Sequence, residues 1–466
     1  MGGELIADQR SHLLPAVIGA GPAGLTAANW LVRHGIIPYL IEADANAGGL
    51  ARTDEKNGWF VDPGGHRFNT KHPIVTDIWR STLPEREWTT KTRSSAMSID
   101  GKLFAYPLNV WDLAQHLGLK QTSIGLAQIL VARVQAVMTR SPTESFRQWG
   151  TRTFGNQWFR LFFESYTEKT WLMDAAEISA DWAKQRIKPL EWRRRSSRNS
   201  DDFCYPKFGP GQLWQAAANK LESNGVELLY GTRVDEIRYS SSETTLELSL
   251  SNGTSRLASS LFVSIPLREL IHRLRPEPPD YVIHAARKLT YRHLVTVALP
   301  VHRQDDFAFN WLYIPQNHVR VGRIQNYRQW SEHLMPSSWR GTYLGLEYYD
   351  SEARQLIDET DDALIQLAIS DLNSLGMKPC SFENALVSRS YYAYPLYDRH
   401  RANAISTIRS WLHANLRSVY PIGRNGMHRY DNQDHAMLSA IRSVEKYLGS
   451  DTDPWAVNTD TSYYGT

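Results

Sequence analysis

Gly19-Ala20-Gly21-Pro22-Ala23-Gly24 lies between an apolar run, Leu13 to Ile18, and a helical stretch from Leu25 to about His34. That order decides the fold. Gly19 allows the tight strand-to-helix turn, Gly21 lets a pyrophosphate approach the backbone, and Gly24 permits close packing of helix on strand, with phosphates resting on the helix N-terminus. A second strand, Ile36 to Ile41, runs into Glu42, an acid placed to accept hydrogen bonds from a ribose. A glycine turn alone is a common feature. With a strand before it, a helix after it and the acid at this distance, it predicts a dinucleotide site in an α/β domain.

Gly48-Gly49-Leu50-Ala51-Arg52 follows the acid. A doubled glycine with a downstream arginine resembles FAD enzymes of the amine-oxidase and glutathione-reductase lineage, and it reads as a second backbone approach to the pyrophosphate with Arg52 balancing its charge. Gly64-Gly65-His66 is another place where backbone can lie against a planar ring, although His66 taken alone reads as a satisfied structural histidine.

With 466 residues the chain is long for one core, so two or three domains are expected. Lysine and arginine total 52 against 49 acids, a net charge of +3, which gives no electrostatic argument for nucleic acid. The densest cationic run, Arg193-Arg194-Arg195-Ser196-Ser197-Arg198, reads as a solvated loop in preference to a phosphate-capturing lid. Two cysteines, Cys204 and Cys380, form no C-x-x-C pair, so neither a metal site nor a disulfide framework is expected. No signal pattern opens the chain and no apolar stretch approaches the ~20 residues of a membrane span. A cytoplasmic protein is the expectation. Asn252-Gly253-Thr254 matches a glycosylation sequon but reads better as a hairpin turn.

Residues from Trp111 to about Lys188 are mostly helical, with Leu126, Leu130, Val134 and Val137 on one stripe and Trp149, Trp158, Phe159, Phe162, Phe163 and Trp171 supplying core. The nucleotide domain resumes at Tyr205, where Gly209-Pro210-Gly211 opens a helix through Ser223. Period-2 strands at Val295 to Leu299, Tyr343 to Tyr348 and Leu386 to Tyr392, with a helix from Asp361 to about Leu375, predict an antiparallel sheet. The expected organisation is a discontinuous Rossmann-like FAD domain (13–70, 205–266 and 415–450), a helical domain (110–200), an antiparallel-sheet substrate domain (71–109 and 267–414) and a loosely ordered tail (451–466).

Several further segments, in order, are similar to the UDP-galactopyranose mutase family, within the amine-oxidase and protoporphyrinogen-oxidase superfamily, and more to its eukaryotic branch than its bacterial one. They are Tyr106-Pro107-Leu108-Asn109, Lys169-Thr170-Trp171, Trp311-Leu312-Tyr313-Ile314-Pro315, Gly322-Arg323-Ile324-Gln325-Asn326-Tyr327, Ala393-Tyr394-Pro395 and the run from Gly423 to His435. The resemblance implies a pyranose-to-furanose ring contraction of a nucleoside-diphosphate sugar, with N5 of reduced FAD as the nucleophile at the anomeric carbon and NAD(P)H as the reductant. It implies that Arg186, Arg323, Tyr327, Tyr394 and Tyr430 clamp the diphosphate, that Trp311 and Tyr313 line the nucleoside pocket with Tyr106 and Asn109 near the base, and that Asn432 lies near the sugar. For the flavin it implies Gly19, Gly21, Gly24, Glu42, Gly49, Arg52, Gly65, His66, Val234, Gly423 and Arg424. A homo-oligomer is plausible on the same ground.

Two departures leave base and sugar open. Pro107-Leu108-Asn109 stands where the eukaryotic pattern has Pro-Phe-Gln, which shortens the amide. The segment joining Arg323 to Tyr327 and the stretch from Tyr430 to Asn432 are also shorter than the family pattern. Alternatives within the same scaffold are an oxidase or desaturase acting on an amine or apolar substrate, a nucleotide-sugar redox enzyme, and a flavin-binding protein without catalysis. Asp434 next to His435 imitates a dyad, but adjacent residues in a helix rarely face one another, so none is expected.

Overall fold

The computed structural model describes residues 13–138, 144–187, 190, 202–239, 245–302, 307–380 and 382–457. Its centre is a five-stranded parallel sheet in the order Val419–Pro421, Leu261–Val263, Ala16–Ile18, Tyr39–Ile41, Glu227–Leu229. The alternation of side chains along these short strands feeds two separate cores. Val17, Leu40 and Phe262 face a layer with helices Pro22–Arg33, Pro73–Thr82, Pro210–Ser223 and Gln433–Tyr447. Ala16, Ile18, Tyr39, Ile41, Leu261 and Val263 face the other way, toward helices Leu267–Arg273, Asp280–Arg287 and Arg401–Asn415 and the sheet Ser255–Ala258, Leu246–Leu250, Val234–Tyr239, Leu274–Arg275. Burial on both faces is what a parallel sheet requires. The α/β fold and the nucleotide turn stand as expected, with the helix beginning at Pro22, where proline is preset for the first helical turn.

The second large sheet has seven strands in the order Leu386–Pro395, Tyr291–Val301, Thr342–Asp350, Arg323–Asn326, Trp311–Tyr313, Ser95–Ile99, Lys102–Ala105. All its neighbours are antiparallel except Trp311–Tyr313 and Ser95–Ile99, which run parallel. Val295, Val297, Leu299, Leu344, Leu346 and Tyr348 turn one face onto helix Asp361–Ser374. The opposite face is free to line a cavity.

Three differences from the sequence reading have clear causes. Helices Leu267–Arg273, Asp280–Arg287 and Arg401–Asn415 pack on the parallel sheet and not on the antiparallel one; Ala404, Ile408, Trp411 and Leu412 form their own helical stripe, which the assignment of 267–414 passed over. In helix Leu119–Met138 the buried face is Thr122, Gly125 and Ile129, whereas Leu130 is 65% and Val134 66% exposed. The helix packs through its smallest residue, since a Cβ on Gly125 would lie 2.2 Å from the Trp158 ring. Val137 falls outside the described side chains, and Arg193 to Arg198 outside the described residues. The described part of the tail, through Val457, is docked: Val457 is buried in the parallel-sheet core and the Trp455 carbonyl accepts from Arg429 Nη1 at 3.1 Å. Cys204 and Cys380 are not joined in a disulfide. Gly253, at φ 82°, turns the hairpin at Asn252, whose side chain accepts from Thr254.

Candidate active site

A cavity of about 480 Å³ lies between the free face of the seven-stranded sheet, the helical layer and the first turn of helix Gln433–Tyr447. Sheet register decides which side chains reach it. Tyr313 pairs with Arg323, Arg323 with Glu347, and Arg292 with Tyr394, so residues distant in sequence share one face. Helix Ser165–Trp171 adds Tyr166 and Trp171, and helix Ala180–Arg186 adds Trp182 and Arg186.

The electrostatics are one-sided. Among the described residues six arginines and Lys71 line the cavity against a single carboxylate, Asp434. Tyr394 and Tyr430 stack at 5.3 Å with their planes 18° apart, and guanidinium groups cover them: Arg292 at 4.7 Å from the Tyr394 ring, Arg186 at 4.9 Å from Tyr430, and Arg424 at 5.2 and 5.3 Å from the two. Ring faces attract cations without neutralising them. Arg186 also donates to Asn432 Oδ1 at 3.0 Å and to the Tyr430 carbonyl; Arg424 donates to the carbonyls of Asp431 and Ala393. Arg323 differs, forming a two-point ion pair with the fully buried Glu347 that raises its pKa despite burial.

Arg292 is the residue that sequence reading missed. It is 3% exposed, donates to the Thr170 carbonyl, lies 4.5 Å from the Trp171 ring and makes no ion pair among the described residues; burial lowers its pKa. Tyr166 and Tyr349 were missed too. Tyr166 meets Tyr313 edge-on at 5.3 Å, and Tyr106 meets the same ring at 5.4 Å, which makes an aromatic cradle at one end of the cavity. Tyr166 lies one helical turn before a segment already singled out, Lys169-Thr170-Trp171, but Arg292 and Tyr349 become visible only through cross-strand pairing.

The flavin residues fit a dinucleotide cofactor. Gly21, N-cap of helix Pro22–Arg33, has no side-chain cap, and a Cβ there would find nothing closer than 3.9 Å, so the first-turn N–H groups are left for an anion. Gly24 is sterically required, because a Cβ would fall 1.8 Å from the Gly19 carbonyl, and Gly49 lies against Gly21. Glu42 Oε2 accepts from Ala20 N at 2.5 Å and Oε1 from Asp44 N at 2.8 Å, fixing the acid at the strand end. Gly65 has no room for a side chain beside Trp311, and Gly423, at φ 71°, packs on Ala23. His66 borders the cavity with Nδ1 unpartnered, and burial followed by Arg424 pushes its pKa down to about 3, which makes it a neutral ring.

Several other expected site residues lie outside the cavity lining and have partners within the protein. Tyr327 does not line the cavity: it is fully buried, and its hydroxyl donates to the Asp62 carbonyl at 3.0 Å. Asn109 is buried outside the lining, and its Oδ1 caps a helix by accepting from Trp111 N at 2.9 Å. Arg52 is engaged by Asp54 at 2.9 Å and by the Arg389 carbonyl, tying the glycine pair to the antiparallel sheet. Val234 is buried with its carbonyl accepting from Arg273. His66, Arg186, Arg323, Asn432, Trp311, Tyr313, Tyr394, Tyr430, Tyr106, Arg424 and Gly65 do converge on one cavity. Among the described residues no group of three or more His, Cys, Asp or Glu is arranged to hold a metal, and no helix is long and apolar enough to cross a membrane.

Known proteins resemble this chain in sequence and in fold. Residues 22–424 match the family described as flavin-containing amine oxidoreductases. The chain is 24% identical to dTDP-fucopyranose mutase of Escherichia coli over 228 residues, 47% of this chain and 56% of that one. It is also 24% identical to a probable UDP-galactopyranose mutase of Klebsiella pneumoniae over 216 residues, 46% and 54% of the two chains. These matches span about half the length of those relatives. A solved structure of reduced UDP-galactopyranose mutase superposes with a TM-score of 0.82 at 22% identity, covering 96% of this chain and 98% of that one, and so shares the fold.

Proposed function

The chain belongs to the family of flavin-containing amine oxidoreductases, and from that premise we propose that it is an FAD-dependent nucleoside-diphosphate-sugar mutase that interconverts pyranose and furanose forms. One observation carries the reading: among the described residues the cavity is lined by six arginines and a lysine against one carboxylate, and three of those arginines rest on two stacked tyrosine rings. Cations held by neutral rings stay available to a ligand, which suits a diphosphate. A protonated amine would be repelled, and an apolar desaturase substrate would leave the charges desolvated and unpaired.

FAD, once bound and reduced, supplies the nucleophile for the anomeric carbon. The first turn of helix Pro22–Arg33 and the Gly48-Gly49 pair would hold its diphosphate, and Gly64-Gly65-His66 with Gly423-Arg424 would border its ring. The remaining work belongs to the protein. Arg186, Arg292 and Arg323 stabilise the departing diphosphate and keep it in place for return, which is electrostatic and proximity catalysis. Tyr394 and Tyr430 add hydroxyl groups, and burial holds the Tyr394 phenol up to about 12, so that it donates without adding negative charge. His66 contributes a neutral ring. Relatives named for UDP-galactopyranose and dTDP-fucopyranose support uridine or thymidine diphosphate sugars as the substrate class, and NAD(P)H is the proposed reductant.

Titration of flavin fluorescence with UDP, dTDP, ADP and L-amino acids tests the reading. Saturable binding of UDP or dTDP is expected. Oxygen consumption driven by an amine or amino acid, with no nucleotide binding, would overturn it.

A further inference from the structure

Lys169 does not touch the cavity, yet its ammonium donates to three backbone carbonyls of one loop: Ile314 at 3.2 Å, Gln316 at 2.8 Å and Val321 at 2.6 Å. It has no carboxylate within ion-pair distance among the described residues. The loop, 314–322, joins strand Trp311–Tyr313 to strand Arg323–Asn326, so its ends carry Tyr313 and Arg323, both on the cavity wall. From the other side, the buried Asp371 of helix Asp361–Ser374 accepts from Arg320 N at 3.0 Å and Val321 N at 2.7 Å. A cation on the carbonyls and an anion on the amides thus grip the same few peptide groups. Charged partners roughly double the strength of such hydrogen bonds and fix the peptide planes they meet.

The two grips come from different layers of the molecule. Lys169 sits on helix Ser165–Trp171 and Asp371 behind the antiparallel sheet. The next residue after Lys169, Thr170, gives its carbonyl to Arg292, and Trp171 stacks beneath the same guanidinium. Gly322 closes the contact, since a Cβ there would fall 3.0 Å from both Thr170 Cγ2 and the Tyr349 ring. The helix is therefore coupled to two arginines of the wall, to Arg292 directly and to Arg323 through the loop.

We propose that Lys169 is a positioning residue for nucleotide binding, which holds loop 314–322 against Asp371 so that Arg323 and Tyr313 face the ligand at fixed spacing from Arg292. This rests on the reading of the cavity as a nucleoside-diphosphate site. Its effect is transmitted and not direct, and this can be measured with a double-mutant cycle.

The experiment uses FAD-loaded protein as wild type, Lys169→Met, Arg323→Lys and the double variant, with UDP and dTDP as probes in a flavin-fluorescence titration; FAD content and melting temperature are recorded for each. Arg323→Lys keeps a charge for Glu347 but loses the planar fork. Each single variant is expected to weaken binding about tenfold, and the double variant to bind within about twofold of the weaker single, since a displaced loop leaves Arg323 nothing further to lose. Lys169→Arg should recover most of the affinity. If Lys169→Met fails to retain FAD, Asp371→Asn takes its place in the same cycle. Unchanged affinity in Lys169→Met, or in Asp371→Asn where it takes its place, or fully additive losses, would overturn the proposal. Absence of UDP and dTDP binding in the wild type would instead reject the nucleotide reading and the proposal with it.

Discussion

Arg323 and Glu347 face one another across adjacent antiparallel strands, with Nε 2.8 Å from Oε2 and Nη2 2.9 Å from Oε1. Gln325 and Tyr349 also donate to the same carboxylate. Removing one partner of a buried, hydrogen-bonded pair strands the other. Arg323→Ala is therefore expected to destabilise the protein by about 3 kcal/mol, with Arg323→Lys costing clearly less. Denaturant unfolding of the two variants checks this, and equal stabilities would mean that the pair is not energetically coupled.

Arg292 predicts the opposite balance. Its charge is desolvated and among the described residues faces carbonyl and ring partners, so Arg292→Met removes a cation that folding has to bury. The variant should melt at or above the wild-type temperature while nucleotide affinity falls tenfold or more, about 1.4 kcal/mol. A variant that is less stable but binds normally would make Arg292 a structural residue.

Glycine contacts give a sharper test of the cofactor site. A Cβ at position 24 would lie 1.8 Å from the Gly19 carbonyl, and the obstacle is backbone. Gly24→Ala should therefore be purified with little or no flavin, as judged by the absorbance ratio of flavin to protein. Retention of a full complement of FAD would remove the turn from the cofactor site.

His66 sets a pH dependence of known sign. Its pKa falls from 6.5 to about 3 on folding, through burial and then Arg424, so between those values the unfolded chain binds the extra proton. Stability from this group is complete above about pH 6.5 and is lost as pH drops toward 3. Asp62, buried and raised to about 7, works against it by favouring the folded state when protonated. The comparison that isolates His66 is with His66→Gln: wild-type stability should fall faster than that of the variant between pH 6.5 and 5. Parallel curves would mean that the imidazole titrates normally.

The nucleotide turn was legible because its glycines act within one local strand–turn–helix unit; Gly19, Gly21 and Gly24 need no distant partner to be understood. Tyr394 and Tyr430 were legible through short motifs and Arg186 through the family resemblance alone, and the cavity brings them together. Arg292 was not, because its meaning comes from pairing with Tyr394, a hundred residues away in effect and adjacent only in the sheet. Tyr327 shows the converse. The family resemblance implied a place for it in the diphosphate clamp, but the chain turns into a short helix after Asn326 and carries the ring into the core, where the Asp62 carbonyl accepts from its hydroxyl. Apolar periodicity in helix Leu119–Met138 located the helix but not its buried face, since the close contact is made by Gly125, which has no hydrophobic signal.

The central claim is that the cavity serves a reaction without net oxidation. The direct measurement is product formation per electron pair under anaerobic conditions, with the flavin reduced once by a chemical reductant and a UDP- or dTDP-hexopyranose supplied in excess. The account predicts that furanose accumulates through many turnovers after a single reduction and that protein with oxidised flavin is inactive. Turnover that consumes one equivalent of oxidant for each product, or that proceeds equally well from oxidised flavin, would contradict it.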